Sequence, residues 1–224
     1  MIKIPFAHQH ELKMKTKGKY KTKWPMGAVV HFTAGRYEKG LDSAKKTIKG
    51  GIENGYTFLC IGQDGSVVQA HSVDEWGYHC GKSALVNLLP KNVKPLLGDL
   101  SDELIGIEMN NAGKVEPTKD GRYKTWFGTF LEADEVRYVK EKDYGCPTGF
   151  YHKYSLEQEA ALIKTLLWLK QNDPYNVFNF DYVRGHHEVA GLHEIGRWRK
   201  NDPGGSLSMS METLRQELKK MSHE

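Results

Sequence analysis

GAVVHFTAG, residues 27–35, is the stretch whose reading decides the fold. Ala28, Val29 and Val30 make a short apolar run between glycines, as in a buried strand, and His31 closes it. Outward from this strand the pattern repeats. YTFLCIGQDGSVVQAH, residues 56–71, holds two β-rich runs around Asp64-Gly65, a favoured hairpin turn. LIGIEM, residues 104–109, reads as another buried strand. Between the strands, DSAKKTIKGGIE (42–53) predicts a helix started by Asp42 or Ser43 and weakened by Gly50 and Gly51. SLEQEAALIKTLLWLKQ (155–171) predicts the clearest helix. Ser155 and Gln158 have capping-box spacing, and Leu156, Ala160, Ile163 and Leu167 line one face. Asn172-Asp173-Pro174 ends it, and a last helix is expected near 209–221. Strands alternating with helices predict an α/β fold on a single mixed β-sheet flanked by helices.

Bulk properties fit that expectation. The 224 residues are 39% hydrophobic and 27% charged, enough for one core in one domain. No apolar run approaches the roughly 18 residues of a membrane helix, so no membrane insertion is expected. The start, MIKIPFAHQHELK, has no apolar stretch or cleavage site of a signal peptide. Cys60, Cys80 and Cys146 are odd in number and form no C-x-x-C pair, so reduced, structural thiols are expected.

Two segments stand apart. In KMKTKGKYKTK (13–23) lysine occupies every odd position. At strand period all six lysines share one face, with Met14, Thr16, Tyr20 and Thr22 on the other. Residues 1–24 therefore read as a basic N-terminal arm ahead of a domain spanning 25–224. The arm is either a solvated edge or a contact surface for an anionic polymer, in keeping with the net charge of +4. No zinc finger, helix-turn-helix or RNP-like run accompanies it, so no nucleic acid partner is expected. Residues 111–153 mix Gly, Pro, Lys and aromatics without a clear period, and read as a long loop insertion.

Three residues are candidate metal ligands: His31, His186 in GHHEVAG, and Asp202 in the DPGG turn. A catalytic zinc takes three N, O or S ligands from protein and keeps a fourth position open, where the pKa of water falls toward neutrality. Two His and one carboxylate meet that requirement.

GAVVHFTAG, YTFLCIGQDGSVVQ, WGYHCG, IGIEMN, GHHEVAG and KNDPGG follow one another in this order. With that succession the chain resembles the zinc-dependent N-acetylmuramoyl-L-alanine amidases, a family that includes phage endolysins, muropeptide-recycling amidases and peptidoglycan-recognition proteins. The resemblance covers roughly residues 26–110 and 155–206. It implies an amidase-like, peptidoglycan-recognition-protein-like fold with Zn2+ as cofactor and His31, His186 and Asp202 as ligands. It further implies Lys200 as the cation that stabilises an oxyanion, Glu108 as the group that handles the proton of the attacking water, and Tyr56 as a residue beside the zinc. Trp76 and His79 match a segment near the substrate groove, and His187, pointing away from its neighbour, is expected behind the site or at the surface. Two features depart from the family pattern. Thr57 stands where many relatives carry histidine, and the stretch between His186 and Asp202, which contains His193, is longer than in recycling-type relatives. The resulting expectation is a monomeric hydrolase that cuts the amide between N-acetylmuramic acid and L-alanine in peptidoglycan. A phage-type endolysin, made in the cytoplasm and acting on the wall after release, comes first. A cytosolic recycling amidase and a non-catalytic peptidoglycan-binding module are the alternatives.

Overall fold

The computed structural model describes residues 1–36, 40–85, 89–190 and 199–222. In chain order the strands are β1 (His8–Gln9), β2 (Gly18–Lys19), β3 (Gly27–Phe32), β4 (Leu59–Ile61), β5 (Val67–Gln69), β6 (Glu75–Trp76), β7 (Ser83–Leu85) and β8 (Leu96–Gly98). There follow β9 (Leu104–Met109), β10 (Lys114–Pro117), β11 (Tyr123–Lys124), β12 (Phe130–Leu131), β13 (Val136–Val139), β14 (Gly149–His152) and β15 (Val183–Gly185). The described helices are α1 (Leu41–Asn54), α2 (Glu141–Tyr144), α3 (Leu156–Gln171), α4 (His186–Val189) and α5 (Met211–Met221). None of them is long and apolar enough to cross a membrane.

Six strands form the expected mixed sheet, in the order β1-β5-β4-β9-β3-β15. β4, β9, β3 and β15 are parallel, and β5 returns antiparallel to β4 through the Asp64-Gly65 turn. β3 and β9 are central and covered on both faces, which is why each reads as a near-continuous apolar run. Ala28, Val30, Ile105 and Ile107 pack with Leu162 and Leu166 of α3 and Leu214 and Leu218 of α5. On the other face Ala44 and Ile48 of α1 pack with Phe58, Cys60 and Val68. All three cysteines are buried and free.

Four local expectations change. Gly40 stands at the N-cap of α1 and supplies no side-chain cap, so neither Asp42 nor Ser43 starts the helix. Gly51 is a contact rather than a weakness: a Cβ there would lie 2.6 Å from the Phe58 ring. In α3 the capping box of Ser155 and Gln158 forms, but the buried residues are Gln158, Glu159, Leu162, Thr165, Leu166 and Leu169, and Leu156 is 82% exposed. Hydropathy misplaces this face because Gln158 and Thr165 are buried with their polar atoms satisfied. Gln158 Nε2 donates to the Asn110 and Ile61 carbonyls, and Thr165 Oγ1 to that of Ala161. The fourth change is residues 111–153, which are no loop. They form an antiparallel sheet, ordered β12-β11-β10-β14-β13, around Ala112, Val115, Leu131 and Val136. Its strands are two to four residues long, too short to leave a period in the sequence.

Residues 1–24 alternate as the lysine spacing predicts, with Met14 and Tyr20 buried and all six lysines exposed. They do not hang free. β1 pairs with β5, β2 pairs with β6, and Ile4 and Trp24 enter the main core. Trp24 Nε1 donates to the Leu169 carbonyl at 3.0 Å.

Candidate active site

The parallel strands β9, β3 and β15 are neighbours, and their carboxyl ends carry Glu108, His31 and, one residue past β15, His186. His31 and Glu108 are directly paired across the sheet. Carboxyl ends of parallel strands are where open α/β sheets bind ligands. Asp202 arrives from the turn before α5, preceding a cis proline. An open cleft of about 710 Å³ lies over these residues, lined also by Tyr56, Tyr78, Arg199 and Lys200.

The three candidate ligands converge. His31 Nδ1 lies 3.1 Å from His186 Nδ1, and Asp202 Oδ2 lies 3.0 Å from each. All three residues are buried. Hydrogen bonds behind the rings fix which nitrogen faces inward. The Leu104 carbonyl, 2.9 Å from His79 Nε2, requires a proton there. In a neutral imidazole the other nitrogen, His79 Nδ1, is then an acceptor, and at 3.1 Å it receives the proton of His31 Nε2. His31 Nδ1 is left with a lone pair. The Cys80 carbonyl, 3.1 Å from His186 Nε2, acts likewise and turns His186 Nδ1 inward. Three electron-pair donors thus point at one spot, an arrangement that repels itself unless a proton or a cation sits among them. Ligands of a tetrahedral zinc at about 2.0–2.1 Å stand roughly 3.3 Å apart, close to the spacing here. The residues fit the ion.

Electrostatics match this geometry. Burial, with the neighbouring His186, pushes His31 down to about 4, so its ring is neutral at pH 7. Burial also holds His79 well below the ordinary imidazole range. Burial works against the charge of Asp202, but a proton shared with the adjacent His186 and His31 rings, in the place a cation would take, outweighs it and keeps the carboxyl far below the usual carboxylate range. Glu108 is the opposite case. Burial, helped by the charge of Asp202 and opposed by Lys200, raises it to about 8. Its buried Oε2 has no hydrogen-bond partner among the described residues. A carboxylate held so, beside the ligands and at a cleft, is placed for proton transfer.

The remaining sequence candidates divide. Tyr56, half exposed, and Lys200 line the cleft. His79 lines it too, and both its ring nitrogens are engaged, one with the Leu104 carbonyl and the other with His31. Gly106, below it on β9, makes room for that ring: a Cβ there would lie 2.7 Å from His79 Cγ. Trp76 is not among the cleft residues; its ring stands edge-on to Tyr78 at 5.9 Å, and Tyr78 takes the place at the wall. Thr57 is buried and donates to the Lys15 carbonyl at 3.0 Å, tying the N-terminal segment to the cleft rim. His187 is buried behind the site, where its backbone N–H and Nδ1 both reach the Asp202 carbonyl at 2.9 Å. His193 lies outside the described residues.

Two supports left no motif in the sequence. Arg137 on β13 donates from Nη1 to the carbonyls of Gly205, Ser206 and Leu207, at 3.0, 3.1 and 2.7 Å. The inserted sheet therefore braces the turn that carries Asp202. Arg137→Met is expected to weaken metal binding by about 10–100-fold, as loss of outer support around a ligand commonly does. Competition with a chromogenic chelator measures it; unchanged affinity would show that the turn holds itself.

The second support is Glu188, buried against Arg184 and Arg215 at 3.3 and 3.1 Å and accepting the Gly185 N–H at 2.8 Å. Burial opposes its charge, but the two guanidiniums win and depress the carboxyl from 4.5 to about 2. A depressed carboxylate stabilises the fold above its unfolded pKa and loses that effect as pH falls through the folded one. Roughly 3 kcal/mol is therefore expected to disappear between pH 4.5 and 2. Urea unfolding across that window checks this, and the loss should be largely absent in Glu188→Gln.

Comparison with known proteins was made on both sequence and structure. No curated protein matches the sequence. A selenomethionine derivative of AmpD has a similar structure at 17% identity, with a TM-score of 0.54 over 97% of this chain and 98% of its own. Staphylococcus aureus hydrolase AmiA, solved in complex with its ligand, is similar at 13% identity, with a TM-score of 0.51 over 98% of this chain and 85% of its own. At such identities the likeness is one of fold. The family model described as N-acetylmuramoyl-L-alanine amidase matches residues 21–205, a span holding every ligand candidate and the cleft. The chain belongs to the N-acetylmuramoyl-L-alanine amidase family.

Proposed function

We propose that this protein hydrolyses the amide between N-acetylmuramic acid and L-alanine in peptidoglycan, with Zn2+ held by His31, His186 and Asp202. The observation that carries the reading is the convergence of three inward-facing donors, 3.0–3.1 Å apart, beside the raised carboxyl of Glu108. A zinc ion bound by these residues would supply a Lewis acid for the scissile carbonyl and would make water a better nucleophile at neutral pH. The chain's own groups do the rest. Glu108 accepts a proton from the attacking water and returns it to the departing L-alanine nitrogen, so that the amine leaves neutral. Lys200 offers its ammonium to the oxygen that becomes negative as the carbonyl carbon turns tetrahedral. Tyr56 orients the carbonyl from the cleft wall.

The substrate we favour is the intact wall, as for a phage-type endolysin acting after release. The support is the exposed lysine row: the Lys17 ammonium lies over the Tyr78 ring at 4.8 Å, which brings the row to the cleft rim. Trimming residues 1–24 would remove core residues, so the test is by charge alone. Lys15, Lys17 and Lys23, outside the ion pairs that Lys19 and Lys21 make with Asp74 and Asp102, are the positions to change. The triple change to glutamine is expected to slow release from whole sacculi severalfold at low salt, with the difference vanishing near 1 M salt, where the screening length is about 3 Å. Cleavage of a soluble muramoyl-peptide should not change. Equal loss on both substrates would remove this support for a wall substrate.

The deciding experiment uses purified peptidoglycan and a soluble muramoyl-peptide, each with and without a zinc chelator, with products read by mass spectrometry. Intact glycan plus stem peptides beginning with L-alanine, lost with chelator and restored by zinc, is the expected result. Activity on soluble fragments alone would point to recycling. No cleavage by a protein holding one zinc would point to a binding module.

A further inference from the structure

The inserted sheet carries a feature that the catalytic reading leaves unused. Trp126 sits in the tight turn between β11 and β12, where the Thr125 and Thr129 backbones bond across it. It is 74% exposed, yet it is not loose. Its indole N–H donates to the Ala34 carbonyl, and Ala34 lines the catalytic cleft. Phe127 stands edge-on behind it at 5.6 Å. The ring's one polar atom is thus already satisfied, its orientation is fixed, and its surface is open to solvent.

Beside the ring lies a second depression of about 330 Å³, lined by Trp126, Lys114, Glu116, Lys124 and Thr125. Glu116 and Lys124 face each other across β10 and β11. The depression offers an aromatic plate, two ammonium donors and one carboxylate acceptor, while the Thr125 hydroxyl is committed to the Thr129 backbone and holds the turn. That mixture suits a ligand with an apolar face and a rim of hydroxyl and amide groups, and suits a polyanion poorly because Glu116 would oppose it. Pyranose rings bearing N-acetyl groups have this character: C–H groups on one face, hydroxyls around the edge and an amide carbonyl.

We infer that Trp126 and the β10–β11 depression form a glycan subsite, which holds N-acetylated sugar units of the strand beyond the muramoyl residue at the cleft. The inference rests on the peptidoglycan reading and specifies which part of the polymer the insertion grips. Continuity is given by Ala34, whose residue lines the cleft while its carbonyl pins the plate. A substrate threaded past that point would meet the indole face next.

The test separates grip from cleavage. Chitotetraose, a β-1,4-linked tetramer of N-acetylglucosamine, contains no lactyl amide and cannot be cut by the proposed chemistry. Its binding to the full-length protein is followed by calorimetry and by NMR shifts. Weak binding by the wild type is expected, weakened at least fivefold in Trp126→Ala and largely kept in Trp126→Phe, which retains a plate without the N–H. On polymeric peptidoglycan Trp126→Ala should raise KM by about fivefold or more and leave kcat unchanged. On a muramoyl-dipeptide, too short to reach the plate, both constants should stay the same. No tetramer binding by the wild type, or binding indifferent to Trp126→Ala, would overturn the subsite. Failure of the amidase reading looks different: the tetramer would still bind through Trp126 while no stem peptide was released.

Discussion

The Asp202→Ala variant is expected to lose about three orders of magnitude or more in kcat/KM while keeping its fold. The carboxylate is the only anionic member of the ligand set, and Oδ2 is the atom that both imidazoles approach at 3.0 Å. Alanine leaves two imidazoles, too few for a catalytic zinc. The fold survives because His187 grips the backbone carbonyl of residue 202, not its carboxylate. Three measurements belong together: turnover of a muramoyl-peptide, zinc content by mass spectrometry, and the melting curve. Loss of zinc and turnover with a near-native fold is the expected set. Chelated wild-type protein should fall to the same residual rate. Turnover that persists in Asp202→Ala, or in chelated wild type, would exclude these three residues as the catalytic centre.

Glu108→Gln is the second large effect, about 10²–10⁴-fold in kcat, the range for removing a positioned proton carrier. Glutamine keeps the shape and cannot take a proton. The pH profile gives the sharper check. A protonated carboxyl cannot act as base, so kcat/KM rises with pH and levels off above the pKa of Glu108. In the metal-free protein that value is about 8, raised by burial from 4.5. A divalent cation at the neighbouring ligands favours the carboxylate and draws the rising limb below 8. Glu108→Gln should flatten that limb. A limb that survives the change would assign the proton transfer to another group.

How much of this was legible beforehand follows from the range of each interaction. β3, β9 and the β4–β5 hairpin announce themselves because a central strand must be apolar along its length and an Asp-Gly pair must turn. The candidate ligands were legible through short motifs tied to those strand ends. What stayed hidden depends on contacts between distant residues. The buried stripe of α3 is displaced because Gln158 finds carbonyls at the end of β4 and just past β9, which no window of α3 can reveal. The link from His79 to His31 was hidden because nothing near His79 in sequence shows Leu104 waiting for its proton. Trp76 is outside the cleft and Tyr78, two residues on and given no role by the motif, lines it. The insertion was opaque for a different reason: strands of two to four residues, held by ladders to each other and by Arg137 to a turn near the C-terminus, carry no periodic signature.

The distribution of the ligands along the chain has a consequence for timing. His31 is 155 residues from His186 and 171 from Asp202. The strand bearing the first ligand leaves the ribosome early, and so do the inserted strands that will brace the last. The donors nevertheless meet only after β15 has docked on β3 and the turn at Asp202 has reached Arg137. A growing chain therefore cannot bring the three candidate ligands together until residue 202 and the turn after it have been made. Chemistry that depends on this centre is absent from shorter nascent chains and arises only when the parts carrying the three donors have folded together.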